Sequence, residues 1–124
     1  MHEMGLAQSI LEIALEAAGG EKVRRIDLQI GKAQMVKPES LEFSFRLAAD
    51  GTAAAGAGFA ITELPLVLRC AQCSAESEAD LPPWNCRQCG SSETEILSGD
   101  EFQVEAVELE SGRVVRRQTS AAHS

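Results

Sequence analysis

The side chains best placed for chemistry are Cys70, Cys73, Cys86 and Cys89, two C-x2-C pairs with twelve residues between them. Each pair can wrap one side of an ion, and four thiolates complete the tetrahedral shell that Zn(II) favours, with Zn–S near ~2.3 Å. Rubredoxin-like iron uses the same ligands, and softness and geometry leave that ion open. A redox dithiol needs only one such pair, so the second pair argues for a metal. Four thiolates leave no position for water or substrate, which makes the site structural rather than catalytic. Gly90 follows the second pair, where a knuckle turn tolerates few side chains. The stretch from Ala71 to Cys89 has little core of its own, so metal binding is expected to supply its folding energy, on the order of 10 kcal/mol.

A second metal candidate is the opening triplet Met1-His2-Glu3. A free α-amine, the next amide nitrogen and the His2 imidazole can chelate one ion together, and Glu3 can add an oxygen. Nitrogen-rich ligation of this kind suits Ni(II) or Cu(II). The competing reading is a frayed terminus with a chance histidine. His123 sits near the other end and reads as incidental. No nucleophile–base pair or Gly-rich phosphate loop is present, so no enzyme is expected.

These residues need elements to hold them. The chain has 124 residues, 44% of them apolar and only 4% aromatic. That suits one main domain with a modest aliphatic core and an appendage. Leu6 to Ala18 has helical spacing, with Leu6, Ile10, Ile13, Ala14 and Ala17 on one face and Gly19-Gly20 as a stop. Val23 to Ile30 alternates as a strand, with Ile26, Leu28 and Ile30 inward. Pro38 opens a second helix with Leu41, Phe45 and Ala48 as its buried stripe. Ala49 to Gly58 reads as a loop. Phe59 to Arg69 reads as a strand that Pro65 bends or places at an edge. Glu101 to Glu110 is the last strand, with a bulge at Ala106-Val107. The expected fold is α+β: two helices packed on a small β-sheet, with an inserted zinc-ribbon-like subdomain. The expected boundaries are a main domain over 1–66 with 100–110, a zinc-binding subdomain over 67–99, and a flexible tail over 111–124.

Charge and hydropathy narrow the function. The net charge is −8, from 19 acidic and 11 basic residues, which disfavours nucleic acid. Between Cys70 and Cys89 stand Glu76, Glu78 and Asp80 against one base, Arg87, and Trp84 is a lone aromatic suited to packing over the knuckles. No run is long enough to span a bilayer, and no signal peptide is visible, so a cytoplasmic setting is expected. There, paired cysteines bind metal rather than cross-link. Exposed edge strands would allow a swapped homodimer.

Taken together, these residues resemble the HypA/HybF hydrogenase nickel-incorporation proteins over 1 to about 110. The resemblance rests on Met1-His2-Glu3, Gly31, Val36-Lys37-Pro38-Glu39-Ser40-Leu41, Gly51-Thr52, Gly56-Ala57, Pro65, the two cysteine pairs and Gly99-Asp100-Glu101. Departures are Gly5 where the family often has Ser, Ala55 in place of an acidic residue, and a second knuckle without its frequent proline. None removes a proposed ligand. The resemblance implies a nickel metallochaperone for nickel-enzyme maturation, above all of [NiFe]-hydrogenase. It implies nickel cargo at Met1, His2 and Glu3, and structural zinc at Cys70, Cys73, Cys86 and Cys89. The implied partners are a nickel-binding GTPase and the hydrogenase large-subunit precursor. The alternative is a zinc-ribbon interaction adaptor without nickel cargo, which would not respond to an extra leading residue.

Overall fold

The computed structural model describes residues 3–79 and 82–117. Met1, His2, Asp80 and His123 lie outside the described residues, as does the stretch 118–124. In chain order the elements are α1 (Glu3–Ala18), β1 (Val23–Gly31), a short 3-10 turn (Lys32–Gln34), α2 (Pro38–Ala49), β2 (Gly58–Leu64), β3 (Leu66–Cys70), β4 (Glu76–Ala79), β5 (Thr94–Ser98), β6 (Phe102–Leu109) and β7 (Val114–Arg116). One sheet has the order β2-β1-β6-β7, the other β4-β3-β5. The α+β class stands, with the strands divided between two sheets. The chain forms two compact units, one of 1–28, 37–61 and 104–124, the other of 29–36 and 62–103.

In the first unit, α1 packs on α2. Leu6, Ala7, Ile10, Ala14 and Ala18 are the buried face of α1. Ile13 is a correction: it lies at the margin of that face, 47% exposed, while Ala7 and Ala18 take the inner positions. The Gly19 amide donates the last helical bond, to the Leu15 carbonyl at 3.2 Å, and the left-handed φ of 59° at Gly19 then turns the chain out of the helix. Pro38 sits in the first turn of α2, where its missing N–H costs nothing. Leu41, Phe45 and Ala49 are buried there; Ala49 rather than Ala48 completes the stripe. Phe45 meets Phe59 with ring centroids 4.5 Å apart. From the strands, Ile26 and Leu28 point inward, as do Val104, Ala106, Val107 and Leu109.

β6 carries adjacent buried residues at Ala106 and Val107, yet its pairing with β7 runs in register through both, Ala106 opposite Arg116 and Val107 opposite Val115. β7 falls within 111–124, the stretch that the sequence reads as a flexible tail. Three residues with no apolar alternation become a strand because β6 supplies hydrogen-bond partners, a tertiary effect that local pattern does not carry.

In the second unit, Pro65 separates what the sequence suggested was one strand. β3 is the central strand of its sheet, antiparallel to β4 (Leu68 opposite Ser77) and to β5 (Leu68 opposite Ile96). Leu66 and Leu68 face inward on β3. The end of β1 and the turn that follows it are tied to the chain after β5, with the Gly31 amide donating to Glu101 at 2.8 Å and the Ala33 amide donating to Gly99 at 2.8 Å.

Candidate metal centre

The two cysteine pairs sit on two turns of the same construction. β3 runs into Cys70, and Thr94, opposite Cys70, begins β5 just beyond the second pair. In the first turn the Cys70 amide donates to the Ala75 carbonyl at 2.9 Å and the Ser74 amide returns to the Cys70 carbonyl at 3.0 Å. In the second the Cys86 amide donates to Ser91 at 2.8 Å and the Gly90 amide returns to Cys86 at 2.9 Å. The Ala71 amide joins the halves by donating to Glu93 at 2.8 Å. The Thr94 hydroxyl adds a bond to the Trp84 carbonyl at 2.7 Å. Trp84 is half-buried, and its indole Nε1 is shielded from solvent without a hydrogen-bond partner among the described residues.

All four sulfurs converge, with every Sγ within 4.8 Å of the others. Cys70 and Cys89 are 3.6 Å apart, as are Cys73 and Cys86. A tetrahedral shell with Zn–S near ~2.3 Å has sulfur–sulfur edges of about 3.8 Å. The four thiolates therefore fit zinc with little adjustment, and they fill its shell. Cys70 and Cys86 are buried; Cys73 and Cys89 are exposed.

Backbone amides favour the charged form of the leading cysteines. The Gln72 amide donates to Cys70 Sγ at 3.3 Å, and the Gln88 and Cys89 amides donate to Cys86 Sγ at 3.3 and 3.4 Å. Cys86 is drawn down to about 6, first by the Cys89 amide, with burial opposing and the Gln88 amide assisting. The Cys73 amide leads in lowering Cys70. Cys89 goes the other way, to about 11: the Ser91 amide lowers it, but neighbouring Cys70, burial, Cys86 and Cys73 together outweigh that bond. Four sulfurs this close repel as thiolates, and a divalent cation removes that repulsion.

The nickel triplet is placed only in part. Glu3 is the first residue of α1 and is half-buried. Met1 and His2 lie outside the described residues. Ser74, Ser91, Glu93 and Thr94, which brace the cysteine turns, were missed in the sequence. Stepping four residues on from each leading cysteine would have paired Ser74 with Gly90.

The fold and the site define a class: a two-helix α+β protein carrying a paired-knuckle zinc ribbon. Comparison with known proteins narrows it. Residues 1–109 match the family model described as "Hydrogenase/urease nickel incorporation, metallochaperone, hypA". The hydrogenase maturation factor HypA of Trichormus variabilis is 38% identical over 110 residues, covering 89% of this chain and 96% of that one. Its counterpart from Desulfosudis oleivorans is 42% identical over 113 residues, covering 88% and 98%. The solution structure of the Ni metallochaperone HypA from Helicobacter pylori shares the fold, with a TM-score of 0.61 at 20% identity over 88% of this chain and 97% of that one. The chain belongs to the HypA family. Among the described residues, no helix is long and apolar enough to cross a membrane.

Proposed function

We propose that this protein is a nickel metallochaperone that delivers Ni(II) during maturation of a nickel enzyme, most directly a [NiFe]-hydrogenase. The observation that carries the reading is the family match from residue 1 to 109, which includes the triplet and both cysteine pairs. Zinc at Cys70, Cys73, Cys86 and Cys89 is structural, because a shell filled by four thiolates offers cargo neither a way in nor a way out. Nickel is the cargo, held by the Met1 amine, the backbone nitrogen of His2, the His2 ring and Glu3. The helix N-terminus carries partial positive charge that opposes a cation, and Glu3 in the first turn offsets it. A nickel-binding GTPase and the hydrogenase large-subunit precursor are the partners on either side of the transfer, and the protein catalyses no reaction itself.

The amine, the imidazole and the His2 amide must all shed protons to bind, so nickel affinity falls as pH drops. The experiment compares nickel titrations of the native chain, a His2→Ala variant and a chain with one residue added before Met1. The expected result is loss of nickel binding in both altered chains with zinc content unchanged. Unchanged nickel affinity in both would overturn the cargo site and favour an adaptor role.

A further inference from the structure

Aromatic side chains are scarce here: four phenylalanines and one tryptophan. Phe45 lies in the core, 1% exposed. Phe43, two residues before it, is 59% exposed, and Leu47, two residues after it, is 57% exposed. At ~100° per residue each lies ~160° round the α2 axis from Phe45, so neither can turn into the core filled by Leu41, Phe45 and Ala49. Being four apart, they stand side by side on the outer face. The outer face of α2 thus carries an exposed apolar pair opposite its buried stripe.

The surroundings of the pair select the cover. Glu39 precedes Phe43 by one turn, Asp50 follows Leu47 by three residues, and both acids are exposed. Glu42 is engaged by Arg46 at 3.5 Å, which leaves Glu39 and Asp50 to set the charge at the two ends of the strip. We propose that the outer face of α2 is a docking surface for a cationic amphipathic segment of a partner protein. Two apolar side chains of that segment, one helical turn apart, seat on Phe43 and Leu47, and its lysines or arginines face Glu39 and Asp50. A second copy of the chain is a poor occupant, because an isologous contact sets these acids against themselves and joins two chains of charge −8. α2 is already fixed by its buried face and by Pro38, so docking orders little on this side.

The test uses the full zinc-loaded chain. The probe is a fluorescein-labelled helical peptide of leucines and lysines, with leucines at positions i, i+3 and i+4, read by anisotropy. A peptide with glutamate in place of lysine is the charge control. The lysine peptide is expected to bind, and to bind about tenfold more weakly to the Phe43→Ser/Leu47→Ser variant. Glu39→Lys/Asp50→Lys is expected to weaken it severalfold, and Ile13→Ser to leave it unchanged. Circular dichroism and zinc content verify that each variant is folded, and Phe43→Ala/Leu47→Ala substitutes if the serine pair is not. The proposal is overturned if the lysine peptide does not bind, if it binds the α2 variants as tightly as the native chain, if Ile13→Ser weakens it equally, or if the glutamate peptide binds as well. A native dimer in sedimentation that Phe43→Ser/Leu47→Ser dissolves would assign the face to a second copy and overturn it too.

Discussion

Ser74 and Gly90 occupy the same place in the two halves of the cysteine site. Each lies four residues past the leading cysteine of its pair and returns its amide to that cysteine's carbonyl, at 3.0 and 2.9 Å. Both have left-handed backbone, φ 65° at Ser74 and 78° at Gly90. An L side chain pays roughly 1–2 kcal/mol there, and glycine does not. A Cβ at Gly90 would meet nothing within 4 Å, so Gly90→Ala isolates the backbone cost. It should destabilise the zinc-loaded protein by about 1 kcal/mol, while Ser74→Gly should stabilise it by ~0.5 kcal/mol once the looser unfolded chain is counted. Urea titration followed by Trp84 fluorescence reads both, and equal signs for the two substitutions would refute the equivalence.

Zinc removal should affect the two compact units unequally. Among the described residues, the second unit buries only Ile30, Leu66, Leu68, Cys70 and Cys86 as apolar core, whereas the first buries both helix faces and the inner residues of β6. A core that small needs the ion to offset chain entropy. On chelation, hydrogen exchange should speed up across 66–70, 76–79 and 94–98, with amides of α1 and α2 still protected. Ribbon amides that stay protected without metal would show that the thiolate shell is not what holds the unit.

The cysteine site was legible in the sequence because spacing alone dictates it: a C-x2-C turn has one compact way to present two sulfurs to one ion. The helices were legible too, since Leu41 and Phe45, or Leu6, Ile10 and Ala14, repeat at the helical period. Ile13 was misplaced by about one helical position, a margin that periodicity does not resolve when alanines can fill the inner face. β4 and β7 were not legible. Glu76–Ala79 carries no large apolar residue, and it forms a strand because β3 lies beside it. The break of the Phe59 to Arg69 run at Pro65 was visible as a bend, but not as a change of sheet.

Acid should weaken one tie in the first unit. The Ser111 amide donates to Glu21 Oε2 at 2.9 Å, and Arg113 approaches Oε1 at 3.8 Å. The Ser111 hydroxyl first, then its amide, hold the Glu21 carboxyl below its usual value of 4.5; burial opposes them and Arg113 assists. A carboxylate lowered in the folded state binds fewer protons than the unfolded chain. Its contribution is therefore complete above the unfolded value and is lost as pH falls through the folded one. Glu21→Gln should lower the urea midpoint at neutral pH, and the gap to the native protein should close as pH drops below the usual carboxylate range. A gap that stays constant from neutral to acid pH would count against this role.

The ends of the cysteine insert are held by a contact that admits no side chain. A Cβ on Gly31 would overlap the Gly99 carbonyl, and one on Gly99 would overlap the Leu66 Cα and lie 2.6 Å from the Pro65 carbonyl. Three strands of chain thus touch through bare backbone: the end of β1, the start of β3 and the turn after β5. The obstacles are main-chain atoms, which cannot swing aside as a flexible side chain can. Gly99 also has φ 105°, so a substitution there adds backbone strain to the overlap. Gly31→Ala and Gly99→Ala should each destabilise by ~3 kcal/mol or more, the upper end of overpacking. Gly58 is the control: its Cβ would meet only the Arg24 carbonyl at 3.9 Å, an ordinary contact. Gly58→Ala should therefore change stability by less than ~1 kcal/mol. Zinc-loaded variants unfolded in urea would rank the three, and a Gly31→Ala protein as stable as Gly58→Ala would mean that the crossing is looser than the structure has it.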